Sequence, residues 1–492
     1  MNSDVTSAPS NTTARPQAVI LVLLIGAFVV ILNETIMNVA LPTLMSEFGV
    51  TASVVQWLAT AFLLTMAVVI PITGYLLQRF TSRTVFFAAM GFFSLGTLLA
   101  ALAPSFELLL LARIVQAVGT AITLPLLMTT VLTLVPPARR GVVMGNISIV
   151  ISVAPALGPT LSGLILQTLS WRFMFLLVLP IALAVLTYGA RTLVNVGHPR
   201  RLTLDLPSVP LAAVGFGGGV YALSRLGEAR ASFTDAQVLW PLALSAVSLA
   251  LFVARQLMLQ RRDAPLLDLR TLRYPMFTLG LVLLMLAMTA LFGGAILLPL
   301  YLQAVVGLST LQTGLLLLPG GVLMGVLAPI VGRLYDRFGP AWLTTPGAVL
   351  LTLALWRFAQ LTVDTSVPVL LTLHLTLSVG LALLFTPLFT SGLSPLPARL
   401  YSHGSALLST LQQVAGAAGT ALLVTVMTGR VTRAVADGTA LPVAQAEGVR
   451  AAFGLAAGLA VLMVLLAPFT RRTSPRNDAS SDEEPTVTST GH

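Results

Sequence analysis

The chain of 492 residues contains no cysteine and no lysine, and only 9% of its residues carry a charge. The absence of cysteine excludes disulfides, thiolate nucleophiles and cysteine metal ligands. The absence of lysine excludes a Walker A phosphate loop and any lysine Schiff base. The histidines, which are too far apart in sequence to predict a metal site, are His198, His374, His403 and His492. We therefore expect no metal, no cofactor and no enzymatic active site.

Apolar sequence is abundant by contrast, because hydrophobic residues make up 56% of the chain. A soluble protein of this length cannot bury so much apolar surface, so a lipid bilayer must be part of its surroundings. Apolar runs of about twenty residues, long enough to cross a bilayer core of roughly 30 Å, recur along the whole chain. We predict an all-α membrane protein of about fourteen transmembrane helices, the first at 17–45 and the last at 449–469. Glycines at 215–219 weaken the seventh, at 207–226.

The net charge of +10 does not indicate a nucleic-acid partner, because nearly all basic residues lie in short breaks between apolar runs. One alternating set of breaks holds most of these arginines: Arg79, Arg83, Arg139, Arg140, Arg191, Arg200, Arg201, those within 255–273, Arg333, Arg337, Arg399, Arg471, Arg472 and Arg476. The opposite breaks hold far fewer. Positively charged loops stay inside the cell, so we predict a multi-pass protein of the cell membrane with both termini in the cytoplasm.

Two similar octamers occupy matching places in the chain. Residues 74–81 end the second predicted span and residues 332–339 end the tenth, and both fit G-x-L-x-[QD]-R-F-[TG]. We name them the first and second gate motifs. Such internal repeats are typical of secondary transporters, whose substrate site lies between the two halves near the membrane midplane. The residues expected to form cytoplasmic gate contacts are Gly74, Gln78, Arg79 and the nearby Arg83 in the first motif, and Gly332, Asp336 and Arg337 in the second.

The repeat predicts how the chain is organised. A tail at 1–16 precedes a six-helix half at 17–195, an inserted helix pair at 196–262 and a second six-helix half at 263–470. The final segment, 471–492, is rich in Ser, Thr, Asp and Glu and is predicted to be disordered. Residues 428–449 are predicted to form the only long external loop.

Two charged residues are predicted to lie well inside the membrane. Glu34 is the only acidic residue far from the end of any predicted span, and Arg113 is the only arginine so placed. A lone ionised carboxylate in a membrane is costly, which favours proton binding. Glu34 therefore exchanges protons, or else it is a static carboxylate paired with an arginine or a polar cluster. Buried Arg113 needs partners, which are Glu34, directly or through water, or backbone carbonyls.

Four further segments carry a family resemblance. Residues 32–42 read LNETIMNVALP, Arg113 is followed by Gln116 and Gly119, and residues 171–180 run from WRFMF to a proline. The fifth predicted span carries Gly145, Ala154, Gly158, Pro159, Ser162 and Gly163 in the spacing of an antiporter motif. Together these segments resemble the major facilitator superfamily, and specifically its fourteen-span drug:proton antiporter branch. The resemblance covers nearly all of the chain outside the two tails.

The resemblance implies a major-facilitator fold and a proton-coupled exporter. It assigns proton coupling to Glu34 and Arg113, with Asn33 beside the acid, and it implies that the fifth-span motif controls the seal between the halves. Two positions depart from the family pattern: Asn33 stands where an aspartate is usual, with the acid one place later, and Gln78 replaces the usual aspartate of the first gate motif. These departures resemble the subgroup that includes lincomycin-resistance exporters.

Weaker candidates for substrate contacts are polar or aromatic residues in or near the predicted spans. They are Asn38, Gln56, Phe62, Gln116, Phe292, Tyr301, Gln303, His374, Phe385 and Gln412, with Gln413 beside the last. Each one alone is more often a packing contact than a ligand contact. Apolar pockets with few polar groups suit amphipathic ligands, and a single acid in the membrane suits cationic or neutral substrates.

The expected function is the export of small amphipathic drugs or antibiotics in exchange for protons, by a monomer. One alternative is an exporter of a lipid, a glycolipid or an endogenous metabolite with the same fold. Another is a membrane sensor that binds substrates without transporting them. A membrane enzyme is disfavoured because the sequence offers no Ser–His–Asp set and no paired carboxylates.

Overall fold

A computed structural model describes residues 14–193, 195, 204–226, 235–262 and 265–472. This part of the chain is helical and has no β-strand. Its α-helices of five residues or more are α1 (Ala14–Phe48), α2 (Trp57–Arg79), α3 (Ser82–Ala101), α4 (Phe106–Leu134), α5 (Arg140–Thr168), α6 (Arg172–Thr192), α7 (Ser208–Ala212), α8 (Gly218–Leu226), α9 (Ala236–Gln260), α10 (Pro275–Ala304), α11 (Thr310–Phe338), α12 (Ala341–Phe358), α13 (Val367–Leu393), α14 (Tyr401–Ala436) and α15 (Leu441–Leu466).

Twelve helices of the described residues are long and apolar enough to cross a membrane. The multi-pass helical architecture is therefore confirmed, while the expected total of fourteen spans is not. The two predicted spans outside the twelve are 341–361, which contains the eighteen-residue α12, and 207–226. The latter region is helical, but a π-helical turn at Ala213–Gly217 separates α7 from α8. Glycine-rich sequence explains this interruption, since glycine has little preference for regular helix.

The helices pack as two groups, α1–α6 and α10–α15, with α7–α9 beside them. Between the groups, α5 packs along α11 and also contacts α13, while α2 and α4 pack against α14. Helix α8 contacts both α2 and α14. The two groups therefore meet along two seams. The first is formed by α5 and α11, and the second by α2 and α14. Helix α8 lies on the α2–α14 seam.

The prediction of a long external loop at 428–449 is wrong. Helix α14 continues to Ala436 and α15 begins at Leu441, so only four residues connect them. Gly438 adopts φ 83°, and the amide of Thr439 donates to the carbonyl of Ala434, which terminates α14 in the way glycine commonly ends helices. The polar residues of this region extend the helices beyond the apolar zone instead of forming a loop.

Most of the described arginines lie at one end of the bundle, which we name the arginine-rich end. Arg79, Arg140, Arg337, Arg399 and Arg472 lie close to helix ends there. The other end is named the arginine-poor end. The predictions that concern the two tails fall mostly on residues 1–13 and 473–492, which lie outside the described residues.

Candidate functional site

A cavity of about 210 Å³ lies between the two groups of helices. Its wall is mostly apolar, and helices α1, α2, α4, α8, α10 and α14 contribute to it. The lining residues are Glu34, Ala59, Phe62, Leu63, Arg113, Val220, Leu223, Phe292, Ile296, Gln413, Gly416, Ala417, Thr420 and Ala421. Both charged residues that the sequence places inside the membrane therefore lie in the wall of one cavity.

Glu34 lies near the middle of α1, and its side chain borders the cavity. No described residue forms a hydrogen bond with its carboxylate, and no described cation lies within the 4.0 Å of an ion pair. An unpaired carboxylate in an apolar wall can accept a proton or a cationic ligand without first breaking a bond to the protein.

Arg113 is almost completely buried on α4 and is held by neutral groups. Its guanidinium donates to Asn33 Oδ1 at 3.0 Å and to Gln116 Oε1 at 3.0 Å. The ring of Phe62 lies 4.0 Å from the guanidinium carbon, in cation–π contact. Gln116 in turn donates to Thr97 Oγ1 at 2.9 Å. These contacts fix the arginine in place, and no described carboxylate lies within the 4.0 Å of an ion pair with it.

The position of the acid, one residue later than in the resembled pattern, has a geometric consequence. Consecutive residues of an α-helix point about 100° apart. Asn33 points toward Arg113, and Glu34 points into the cavity. Because the acid stands one place later, one side chain, Asn33, binds Arg113, and a different one, Glu34, faces the cavity.

The fifth-span motif packs directly behind Glu34. A Cβ atom on Gly158 would collide with Thr35, the residue after Glu34, and Thr35 Oγ1 donates to the carbonyl of Ala154 at 3.4 Å. On the other side of α5, a Cβ on Gly145 would lie 2.6 Å from the carbonyl oxygen of Ala328 on α11. The motif thus permits close approach of α5 to α1 and to α11. Its last glycine, Gly163, has no such neighbour within 4 Å.

The first gate motif contacts the beginning of α14. Gln78 Nε2 donates to Ser402 Oγ at 2.9 Å and lies 2.5 Å from His403 Nε2. A Cβ on Gly74 would lie 3.1 Å from His403 Nδ1. Arg79 lies over the ring of its neighbour Phe80, at 5.5 Å from the centroid. Beyond the motif, Arg83 donates to the carbonyl of Ala190 at 2.7 Å, at the end of α6.

The second gate motif contacts the beginning of α5. The carboxylate of Asp336 accepts hydrogen bonds from the amides of Gly141 at 3.1 Å and Val142 at 3.2 Å. A Cβ on Gly332 would collide with the backbone of Gly141. Arg337 lies over the ring of Phe338, at 5.0 Å. Each motif therefore joins the two groups of helices at the arginine-rich end, through its glycine and its Gln or Asp.

Buried Arg140 links the two gate contacts. It donates to the carbonyls of Leu132 at 2.8 Å and Val135 at 3.1 Å, near the end of α4, and to Tyr401 Oη at 3.1 Å. Because Tyr401 begins α14, this arginine connects the start of α5 with the start of α14. The sequence offered no signal that separates Arg140 from the other arginines of its loop.

Of the predicted substrate-contact residues, Phe62 and Phe292 line the cavity, and Gln413 does so in place of Gln412. Gln116 is engaged with Arg113, Tyr301 donates to the carbonyl of Thr362 at 2.6 Å, and His374 contacts the carbonyl of Leu317 at 3.0 Å. The remaining candidates away from the cavity are Gln56, Gln303 and Phe385. The side chain of Asn38 lies outside the described residues.

Several lining residues carry no sequence signal for binding. Ala59, Gly416, Ala417 and Ala421 are small residues whose role is to leave space, and α8 reaches the cavity only through the tertiary fold.

These features define a class. A helical bundle with repeated gate motifs, two helix groups and a cavity between them is the architecture of secondary transporters.

Comparison with known proteins specifies the family. The family model described as Major Facilitator Superfamily matches residues 23–420, and the chain belongs to this superfamily. The motif-based resemblance is thereby confirmed.

Relatives and solved structures agree with this assignment. The lincomycin resistance protein LmrB of Bacillus subtilis (strain 168) is 39% identical over 95% of this chain and 98% of its own. The multidrug resistance protein B homolog of Mycobacterium tuberculosis (strain ATCC 25618 / H37Rv) is 31% identical over 80% of this chain and 73% of its own. The human organic anion transporter MFSD10 shares the fold with a TM-score of 0.65 at 18% identity, over 94% of this chain and 100% of that chain. The proton:xylose symporter XylE shares it with a TM-score of 0.63 at 16% identity, over 94% and 97%.

Proposed function

We propose that this protein exports small amphipathic compounds, antibiotics among them, from the cytoplasm in exchange for protons. The names of the relatives, which refer to resistance to lincomycin and to multiple drugs, support a drug exporter. The arginine-rich end faces the cytoplasm, in agreement with the distribution of positive charge in membrane proteins. Cationic and neutral compounds are the preferred substrates, since Glu34 is the only acid among the described residues that line the cavity.

The observation that carries the proposal is the carboxylate of Glu34 in the cavity wall, to which no described residue forms a hydrogen bond or a close ion pair. A proton and a substrate compete for this group. When the cavity faces outward, a proton from outside binds Glu34 and displaces the substrate. When it faces inward, Glu34 releases the proton to the cytoplasm and a new substrate binds. Arg113 remains charged throughout, because Asn33 and Gln116 hold it, and its positive charge favours the loss of the proton.

The contacts at the arginine-rich end support an arrangement that is closed toward the cytoplasm. The gate contacts of Gln78, Asp336 and Arg140 must break for the cavity to face inward. The cavity of about 210 Å³ is smaller than the roughly 300–1,000 Å³ of sites that enclose drug-sized ligands. The transport cycle therefore includes a state in which the two groups of helices lie further apart around the cavity.

The test is transport in proteoliposomes with an imposed pH gradient and a panel of lincosamides, lipophilic cations and glycolipids. We expect Glu34→Gln to abolish gradient-driven transport and to weaken the binding of cationic substrates, while exchange of a labelled for an unlabelled neutral substrate persists. Glu34→Asp, which keeps a carboxylate, is the matched control and should retain coupling. Undiminished gradient-driven transport by Glu34→Gln would contradict proton coupling at this residue, and transport of glycolipids alone would favour the alternative cargo.

A further inference from the structure

Helix α8 contributes to the cavity although it belongs to neither six-helix half. Val220 and Leu223 on this helix line the cavity that also contains Glu34 and Arg113. The proposed function assigns substrate binding to this cavity, and the following inference about α8 rests on that proposal.

Side chains of α8 pack against both halves of the protein. Tyr221 stacks on Trp57 at the start of α2, with ring centroids 6.1 Å apart and an angle of 28° between the planes. Leu223 packs with buried Ala421 of α14. The helix therefore closes the seam between α2 and α14 beside the cavity.

Helix α9 supports α8 from behind. Ser245 Oγ donates to the carbonyl of Gly215 at 2.5 Å, within the π-helical turn that precedes α8. Ser248 Oγ donates to the carbonyl of Leu211 at 2.9 Å. A Cβ on Gly215 would lie 2.8 Å from Leu249 Cδ2, so glycine lets the turn approach α9 without displacing this side chain. These contacts hold the turn and α8 at a defined distance from the cavity.

An ion pair fixes the opposite end of the inserted pair. Arg255 donates to both carboxylate oxygens of Asp205, at 2.7 and 2.6 Å, and Ser208 also contacts this carboxylate. The hydrogen bond from Arg255 lowers the pKa of Asp205 below its ordinary value. Gln256 Nε2 donates to Ser208 Oγ at 2.8 Å, and its Oε1 accepts from the amide of Leu266 at 2.8 Å. The inserted pair is thus anchored through polar contacts, and it is not a loosely attached addition.

The chemistry of the wall specifies what it can bind. Glu34 supplies the negative charge of the cavity, whereas Val220 and Leu223 supply aliphatic surface without a polar group. We propose that Val220 and Leu223 form the subsite for the apolar portion of an amphipathic cation whose charged group lies at Glu34. The inserted pair then determines how large an apolar portion the transporter accepts.

The experiment uses two probes with one charged group and different apolar lengths, methyltriphenylphosphonium and octyltriphenylphosphonium. Their affinities are measured for the full-length protein in nanodiscs. We expect Leu223→Ala to weaken the octyl compound about tenfold and the methyl compound less than about threefold, as for lost aliphatic contacts in a pocket. Leu244→Ala on α9, whose side chain is 59% exposed, is the matched control and should change neither affinity.

The outcomes separate the two proposals. If the unmodified protein binds neither phosphonium cation, both the substrate class and the subsite are overturned. If it binds both and Leu223→Ala weakens them equally or not at all, only the subsite is overturned.

The absence of cysteine allows a second measurement that does not depend on truncating the side chain. Leu223→Cys should react with a water-soluble maleimide in the cavity, and octyltriphenylphosphonium should slow that reaction at least about fivefold. Ala440→Cys, on the exposed connection between α14 and α15, should react without protection. Equal labelling of Leu223→Cys with and without the cation would overturn the subsite.

Discussion

The two gate motifs share one sequence pattern but make different contacts. At the first gate, Gln78 meets the side chains of Ser402 and His403, so amide, hydroxyl and imidazole groups form the contact. At the second gate, the carboxylate of Asp336 accepts two backbone amides at the N-terminus of α5. A negative charge at a helix N-terminus is favourable, because the helix dipole and the free amides both stabilise it. The polar contact of the second gate therefore carries a charge, and that of the first gate is formed by an amide, a hydroxyl and an imidazole group.

The glycines of the two gate motifs also differ in what they contact. Gly332 lies against the backbone of Gly141, whereas Gly74 lies against the side chain of His403. A backbone cannot yield without moving its whole helix, and a side chain can rotate. The second gate is thus the tighter of the two, and the α2–α14 seam, on which α8 lies, carries the gate whose glycine contacts a side chain. We expect the first gate to open at the lower energetic cost.

The largest expected effect comes from adding a methyl group to the glycine of the second gate, and the same change at the first gate is the comparison. Gly332→Ala places a Cβ in the backbone of Gly141 and should destabilise the closed arginine-rich end by about 1–3 kcal/mol. Gly74→Ala meets His403 Nδ1 at 3.1 Å and Ala406 Cβ at 3.6 Å, so a small shift relieves it and the cost should be under about 1 kcal/mol.

The fraction of molecules in which the arginine-rich end is closed can be measured from the distance between two spin labels on opposite sides of that end. Thr84→Cys and Ala398→Cys are exposed positions that suit the labels, and the chain has no native cysteine to interfere. Equal loss of the short distance in the two alanine variants would contradict the difference between the gates.

The next effect concerns the charge at the second gate. Asp336→Asn keeps the size of the side chain but removes the charge at the N-terminus of α5, and its amide nitrogen cannot accept a backbone hydrogen bond. We expect a loss of about 1–2 kcal/mol of closed-state stability, roughly tenfold in population. The same spin-label distance measures it. Asp364→Asn, an exposed acid between α12 and α13, is the matched control, and a similar shift there would show that the effect is not local.

Much of the architecture could be predicted from the sequence because its signals are local. Hydrophobic length identified the twelve described helices that are long and apolar enough to cross a membrane, and the two copies of the repeated octamer lie at the same end of the bundle. Glu34 stood out as a charge within an apolar run, and its position in the cavity wall follows from the same isolation. Charge and hydrophobicity act over a few residues, and a single sequence displays them directly.

Contacts between distant segments could not be predicted in this way. The sequence indicated that α8 is an inserted element but not that Val220 and Leu223 border the cavity. Gln412 and Gln413 are neighbours, and which of them faces the cavity depends on the rotation of α14, which the tertiary packing decides. The prediction of a loop at 428–449 was wrong because it treated a polar composition as evidence of a loop. Helices can continue past the apolar zone and end in water.

The smallest expected effect tests the hydrogen bond of the first gate. Gln78→Ala and Ser402→Ala each remove one side of the 2.9 Å bond and should each reduce closed-state stability by about 0.5–1.5 kcal/mol. Because both variants remove the same bond, the double variant should lose about 0.5–1 kcal/mol less than the sum of the two. The spin-label distance across the arginine-rich end gives the closed population of the unmodified protein, of each single variant and of the double variant. Strict additivity would mean that Gln78 acts through His403 alone, and a coupling larger than the effect of Asp336→Asn would reverse the order of the two gates.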